Sequence, residues 1–143
     1  MLNHKFYETI EVLLFISMNS GGKPVSSRVI CQKQNIVSRH LEPILQELVH
    51  NNILKASKGP RGGYSLAKEK RRITLLEIHN IIEKTSKSKK DPFLRSNHFT
   101  NVVQEFSVSL EDKINKFLDE ITLDDIYNSA ESSISLSKPD FII

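Results

Sequence analysis

Apolar residues at the start of the chain recur mostly at steps of three and four, which is the spacing of a helix that buries one face. This spacing predicts a first helix over residues 5–18, which the sequence Gly-Gly-Lys-Pro at 21–24 terminates. A second, short helix is predicted from an N-cap at Ser26 or Ser27 to residue 33, with Val29 and Ile30 facing inward.

A third helix follows a polar break at residues 34–36. Its apolar positions at helical spacing are Leu41, Ile44, Leu45, Leu48 and Val49. Proline is tolerated only in the first turn of a helix, so Pro43 means that this helix either begins near His40 or bends. A short helix, a tight turn and a longer helix form the helix-turn-helix pattern.

The next segment predicts a β-hairpin. Residues 53–57 and 64–67 have the composition of two strands, and Lys-Gly-Pro-Arg-Gly-Gly connects them. Three glycines and a proline in this connection allow positive φ values and a close approach to another backbone, with a cation at the tip. A hairpin that follows a helix-turn-helix is typical of a wing.

The second half of the chain predicts helices joined by polar segments. Thr74 and Glu77 form a capping box for the helix after the wing, and residues 85–98 are predicted to be a linker. A long amphipathic helix follows, and Thr122 caps a short helix over residues 123–128, with residues 129–143 as a tail. The long helix has little of its own domain to pack on, so its apolar seam predicts homodimerisation. The seam consists of Phe99, Val103, Phe106, Leu110, Ile114, Phe117 and Ile121.

The predicted fold is therefore mainly α with a small β-hairpin wing: a winged helix-turn-helix domain at residues 1–84 and a dimerisation segment at 99–128. Charge supports this division, because residues 1–90 carry 16 Lys/Arg against 7 Asp/Glu and the remainder carries 4 against 10. A cationic half favours a polyanionic partner. No apolar run approaches the roughly 18 residues of a membrane span, and no export signal is present, so a cytoplasmic protein is expected.

The wing carries the resemblance to a known family. Gly-Pro-Arg-Gly-Gly-Tyr-Ser-Leu-Ala at residues 59–67 matches the G-P-x-G-G-Y-x-L-A signature of the IscR/NsrR/CymR group of bacterial winged-helix regulators, also called Rrf-type regulators. Similarity extends over residues 5–128 and includes Ile-Thr-Leu-Asp-Asp-Ile at 121–126. The resemblance implies a dimeric transcription regulator, acting as a repressor, that binds a palindromic promoter site in duplex DNA.

The chain departs from this family where an iron-sulfur cluster would bind. Cluster-holding members place three cysteines between the post-wing helix and the long helix, whereas residues 86–100 contain none. The position of a further histidine or acidic ligand falls near Gln104, and His98 is out of register. We therefore expect no cofactor. Cys31, the one cysteine, is interpreted either as a packing residue or as a redox-sensitive thiol near Arg28 and Lys33.

The helix-turn-helix and the wing supply the candidate DNA contacts. A recognition helix presents its N-terminal residues to base edges; here these are Ser38, Arg39, His40 and Glu42. Arg39 can donate to guanine, while Glu42 either accepts from the cytosine amino group or pairs with Arg39 on the protein surface. The candidate phosphate contacts are Ser26, Ser27 and Arg28, and the wing candidates are Lys58, Arg61, Gly62 and Tyr64.

Arg61 is either a minor-groove contact, where the negative potential is strongest, or a solvated loop residue. Lys55, Lys58 and the basic cluster at 68–72 are expected to strengthen nonspecific attraction. No motif indicates an enzyme. Two other functions fit the pattern: a winged helix that binds a protein after its DNA contacts have decayed, or a regulator with a small-molecule or metal effector bound near His79, Asp91 and His98.

Overall fold

The computed structural model describes residues 2–19, 21–85 and 97–137. These residues are mainly helical, with one two-stranded antiparallel sheet, as the sequence predicted. In chain order the elements are α1 His4–Asn19, α2 Ser27–Gln34, α3 Ser38–His50, β1 Leu54–Ser57, β2 Gly63–Leu66, a 3₁₀ turn Lys70–Arg72, α4 Leu75–Thr85, α5 Thr100–Glu120 and α6 Leu123–Ser137. Among the helices described, none is long and apolar enough to cross a membrane.

The core collects the apolar stripe of each N-terminal helix. The buried residues of α3 are Leu41, Ile44, Leu45 and Leu48, which the sequence predicted. From α1 the core receives Phe6, Ile10, Val12, Leu13 and Ile16, and from α4 Leu75, Ile78, Ile81 and Ile82. In α2 only Ile30 is buried. The prediction that Val29 faces inward is wrong, since Val29 is 40% exposed.

Local features fix both ends of α2 and the start of α3. The Ser26 hydroxyl caps α2 by accepting from the Val29 N–H at 3.3 Å. The helix ends at Asn35, whose φ of 54° is left-handed, a conformation that asparagine tolerates better than most residues. Next, α3 begins at Ser38, which excludes the alternative of a start near His40, and Pro43 lies inside the helix.

The wing is a short hairpin held against the start of α2. Its strands pair from Leu54 opposite Leu66 to Ser57 opposite Gly63. Val25 then pairs with Tyr64 through two backbone hydrogen bonds, each 2.8 Å long. A Cβ at Gly63 would overlap the Val25 carbonyl group, so this close approach requires glycine. The wing and the helix-turn-helix therefore share one rigid connection.

The junction of α5 and α6 is attached to the start of α4. The Leu75 N–H donates to the Ile121 carbonyl at 2.9 Å, and the Leu123 N–H donates to the Ile73 carbonyl at 2.8 Å. Leu118 and Leu123 are buried in the common core. The expectation that the long helix has little of its own domain to pack on is therefore wrong for its C-terminal part.

Both predicted caps near this junction form. Thr74 accepts from the Glu77 N–H at 3.2 Å, but the Glu77 carboxylate binds Lys68 instead of completing a reciprocal box. At α6 the box is reciprocal: Thr122 accepts from the Asp125 N–H, and Asp125 accepts from the Thr122 N–H. The predicted end of this helix at residue 128 is wrong, because α6 continues to Ser137. Most of the predicted linker, residues 86–96, lies outside the described residues.

Candidate DNA-binding surface

The N-terminal part of α3 presents one polar face to solvent. Ser38, Arg39, His40 and Glu42 are all exposed, while Leu41 between them is buried and anchors the helix. Among the ion pairs of the described residues, none joins Arg39 to Glu42. Both side chains are therefore available to a ligand, as base recognition from a helix start requires.

The start of α2 lies beside the base of the wing. Ser26 and Ser27 are half-buried and Arg28 is exposed. The Ser26 hydroxyl is already used as the N-cap, whereas the first backbone N–H groups of a helix have no intrahelical acceptor. An anion at this position would therefore meet free N–H groups and the Arg28 guanidinium.

The tip of the wing is a tight turn that exposes a single arginine. The Gly62 N–H donates to the Gly59 carbonyl at 2.9 Å, and Gly59 has a φ of 100°, which favours glycine. A Cβ at Gly62 would overlap the Ser57 carbonyl oxygen. Within this turn Arg61 is exposed, as is the neighbouring Lys58. The glycines set the shape of the turn, and the two cations project from it.

Two of the predicted wing contacts, Gly62 and Tyr64, are half-buried. Tyr64 is half-buried, packs against the core and pairs with Val25 through its backbone. Gly62 is half-buried inside the turn. We therefore assign the shape and attachment of the wing to Gly62 and Tyr64, and its outward surface to Lys58 and Arg61.

The basic cluster at residues 68–72 lies beyond the wing and is mostly paired within the chain. Lys68 Nζ is 2.7 Å from Glu77 Oε1, and Arg71 Nε is 2.6 Å from Glu69 Oε2. Lys70 Nζ lies 3.2 Å from the centroid of the Tyr127 ring and 3.9 Å from Asp124 Oδ1. These pairs connect Lys68 to α4 and Lys70 to α6, while Arg71 pairs with its neighbour Glu69. The nonspecific attraction of DNA by this cluster stays a prediction.

The predicted dimerisation seam divides into two groups. Phe99, Val103, Phe106 and Phe117 are exposed and Leu110 is half-buried. Ile114 and Ile121 instead pack against the core of the same chain, which corrects their predicted place in the seam. The spacing of three and four residues predicts one apolar stripe along the helix. It does not show which part of that stripe packs against the core of the same chain.

The sequence prediction missed two exposed apolar residues of α5, Val102 and Val108, of which the first lies beside the predicted seam. Val102 is 67% exposed, and it lies on the same side of the helix as Phe99 and Phe106, three residues after one and four before the other. That spacing was the signal that could have found it. We call the resulting set, Phe99, Val102, Val103, Phe106, Leu110 and Phe117, the α5 apolar face.

The structure describes two of the three suspected effector residues, His79 and His98. His79 packs edge-on against Phe6 with ring centroids 5.7 Å apart, and burial lowers its pKa below the ordinary value of 6.5. His98 is exposed near the start of α5, and Asp91 lies outside the described residues. Within the described residues, no group of three or more His, Cys, Asp or Glu side chains is placed to hold a metal ion.

Comparison with known proteins identifies the family. The model of the Rrf2 family, described as an iron-dependent transcriptional regulator, matches residues 2–129. The chain belongs to the Rrf2 family. It is 29% identical over 136 residues to a Synechocystis sp. protein named as an HTH-type transcriptional regulator, covering 92% of this chain and 90% of that protein. Identity to the HTH-type transcriptional regulator IscR of Escherichia coli is 24% over 132 residues, covering 91% of this chain and 82% of IscR.

Solved structures of Rrf2 regulators share this fold. IscR of T. potens aligns with a TM-score of 0.73 at 25% identity, over 93% of this chain and 90% of that one. CymR, the global cysteine regulator of B. subtilis, aligns with a TM-score of 0.71 at 22% identity, over 90% and 97%. The chain is thus a DNA-binding transcription regulator of the Rrf2 family, which is not a family of enzymes. The family predicted from the wing signature is confirmed.

Proposed function

We propose that this Rrf2 protein is a homodimeric repressor that binds a palindromic operator without an iron-sulfur cluster. The observation that carries the proposal is the presence of two different exposed surfaces on one chain. One is the polar face of α3 with the wing tip, and the other is the α5 apolar face. The first suits DNA and the second suits a second copy of the chain.

The homodimer rests on the chemistry of the α5 apolar face. Three phenylalanines and two valines are exposed there within 19 residues, 99–117. Contiguous exposed apolar surface of this kind typically marks a protein interface. A second copy is the occupant we favour, because a two-fold interface requires one self-complementary patch, and a stripe along a helix provides one.

In the proposed complex, each α3 enters the major groove of one half-site. Arg39 donates to a guanine, and Glu42 accepts from a cytosine amino group, since a carboxylate close to phosphates would be repelled. Ser38 and His40 contact neighbouring base edges or phosphates. A dimer related by a two-fold axis would read two such half-sites about one helical turn apart.

The remaining contacts position the protein on the duplex. The start of α2, with Ser26, Ser27 and Arg28, binds phosphate through backbone N–H groups and the guanidinium. At the wing tip, Arg61 enters the minor groove and Lys58 neutralises an adjacent phosphate. Because the wing is bonded to Val25, next to Ser26, both sets of contacts are held in one geometry.

The residues of this chain do not fit the cluster that the description of the family as iron-dependent suggests. Iron-sulfur clusters are held mainly by several cysteine thiolates. Cys31 is the single cysteine in 143 residues, and it packs against the core within α2, beside the helix-turn-helix. We expect the purified protein to stay colourless after anaerobic incubation with iron and sulfide. Visible thiolate-to-iron absorbance would contradict this.

Repression follows from occupancy. A dimer that covers an operator inside a promoter would exclude RNA polymerase without any further activity. Transcription in vitro from a promoter that contains the selected site should fall as the protein is added, and a rise would show activation instead.

The test of the proposal is selection of bound fragments from a random duplex library, followed by affinity measurements at several salt concentrations. We expect an enriched site with two-fold symmetry and a steep loss of affinity with added salt, because bound phosphates release counterions. Arg39→Ala should lower the preference for the selected site over random duplex. No enrichment together with salt-insensitive absence of binding would instead support a protein-interaction module.

A further inference from the structure

The residue at the start of α3 is unusual for its position. Val37 is the N-cap residue, with φ −71° and ψ 135°, and its side chain makes no capping hydrogen bond. Valine is among the least favourable N-cap residues, whereas serine, threonine, asparagine and aspartate are the best, because their side chains accept from the first free N–H groups. The helix of the DNA-binding surface thus begins without the stabilisation that a side-chain N-cap hydrogen bond would provide.

Of the other five α-helices that the structure describes, four are capped by side chains, while α5, whose N-cap residue is Phe99, has no such cap. Four residues accept a backbone hydrogen bond at the start of α1, α2, α4 and α6: Asn3 at 2.9 Å, Ser26 at 3.3 Å, Thr74 at 3.2 Å and Thr122 at 3.2 Å. Among the described α-helices, a missing side-chain cap is therefore the exception, shared by α3 and α5.

Burial does not compensate for the missing cap. The Val37 side chain is 58% exposed, while its neighbour Ile36 packs against the core. The Val37 carbonyl accepts from the His40 and Leu41 N–H groups at 2.9 and 3.1 Å, which fixes its backbone at the first turn. An isopropyl group is thus held rigidly in solvent, directly before Ser38 and Arg39.

We propose that Val37 recognises thymine in the operator by packing its methyl groups against the thymine C5-methyl group. This inference rests on the proposed entry of α3 into the major groove. The thymine methyl is the apolar group that base pairs present there, and small apolar side chains are its usual partners. Contact with the thymine methyl group would bury the exposed valine. This contact would explain why position 37 holds valine and not the better N-cap residue serine.

The experiment removes the methyl groups of the proposed contact, first from the thymine and then from Val37. In the operator selected from the random library, each thymine is replaced in turn, symmetrically in both half-sites, by deoxyuridine, which lacks only the methyl group. Affinities are measured for the wild type, Val37→Ser, Val37→Thr and Val29→Ser. Val29 provides a matched control, because it is an exposed valine of the same helix-turn-helix that lies in α2.

At one thymine position we expect deoxyuridine to weaken wild-type binding. Loss of one buried methyl group lowers affinity about fourfold per half-site, so replacement in both half-sites should lower it about 15-fold. Val37→Ser should bind the thymine operator more weakly and show no loss with deoxyuridine. Val37→Thr, which keeps one γ-methyl group, should retain part of the loss, and Val29→Ser should retain all of it. Val37→Ser should also melt at a higher temperature, because serine restores the N-cap.

Two results would overturn the inference: a wild type indifferent to deoxyuridine at every thymine, or a Val37→Ser protein with the same loss as the wild type. If the wild type still selects a palindromic site and Arg39→Ala weakens it, only the role of Val37 fails. If no site is selected at all, the proposed function fails and the role of Val37 fails with it.

Discussion

The polar face of α3 and the α5 apolar face are both exposed, but they differ in how favourably water hydrates them. Ser38, Arg39 and Glu42 are well solvated before any ligand arrives. Phe106 and its apolar neighbours remain in water at a cost that grows with apolar area. The first surface can stay open in the free protein, whereas the second favours association at once. For the proposed homodimer, the comparison therefore implies that the two chains associate before DNA is bound.

The two surfaces are also supported differently. The wing and helix-turn-helix are joined by the paired backbone bonds of Val25 and Tyr64 and by a core that lies directly beneath them. In α5 only Leu118, near its C-terminal end, is fully buried. The N-terminal part of α5 therefore has little support from its own chain, and a second copy would supply the missing contacts.

The largest effect is expected from a charge on the α5 apolar face. Phe106→Asp places a carboxylate at the centre of the proposed interface, where burial without a partner is costly. We expect monomers by analytical ultracentrifugation and at least about a 100-fold loss of affinity for the palindromic site, because a monomer gains only one half-site.

Val108→Asp is the matched control for this change. Val108 is 55% exposed on the same helix but points about 160° away from Phe106. The variant carries the same new charge and a similar change in helix propensity, so it should stay dimeric and bind normally. If Phe106→Asp still sediments as a dimer, the α5 interface is refuted.

A smaller effect is expected at the wing tip. Arg61→Ala removes an exposed cation from a turn whose shape depends on Gly59 and Gly62, so folding should be unaffected. We expect about a tenfold weaker affinity and a smaller salt dependence, by about one phosphate contact per wing. Fluorescence anisotropy at several salt concentrations measures both quantities.

Arg72→Ala controls for the loss of an arginine as such. Arg72 is also exposed, but it lies in the 3₁₀ turn, in which Lys70 contacts Asp124 and Tyr127 of α6. Its removal should change affinity much less than removal of Arg61. Equal effects of the two variants would mean that the wing contributes only general charge.

The sequence predicted most of this fold because its local signals agree with one another. The apolar spacing of α3, the caps at Ser26, Thr74 and Thr122, and the glycine-rich wing turn each depend on residues close in the chain. Such signals hold whatever the tertiary context. The candidate surface was predictable for the same reason, since a helix start and a turn tip are local features.

The errors came from long-range packing. Ile114 and Ile121 have the spacing of an interface but pack on their own core, because the hydrogen bond from the Leu75 N–H to the Ile121 carbonyl brings the end of α5 against α4. The contact between Lys70 and Tyr127, far along the chain, was not predicted either. Neither contact leaves a periodic signal in the sequence.

The smallest effect is expected at His79, which lies in α4. Burial against Phe6 lowers its pKa in the folded protein, and Glu83 and Glu111 oppose that shift without reversing it. The unfolded chain therefore binds the proton more readily, so the free energy of unfolding should fall as the pH decreases through about 6.5. Thermal melts between pH 7.5 and 5.5 measure this slope, and His79→Gln should flatten it. An equal slope in the variant would assign the pH dependence to other groups.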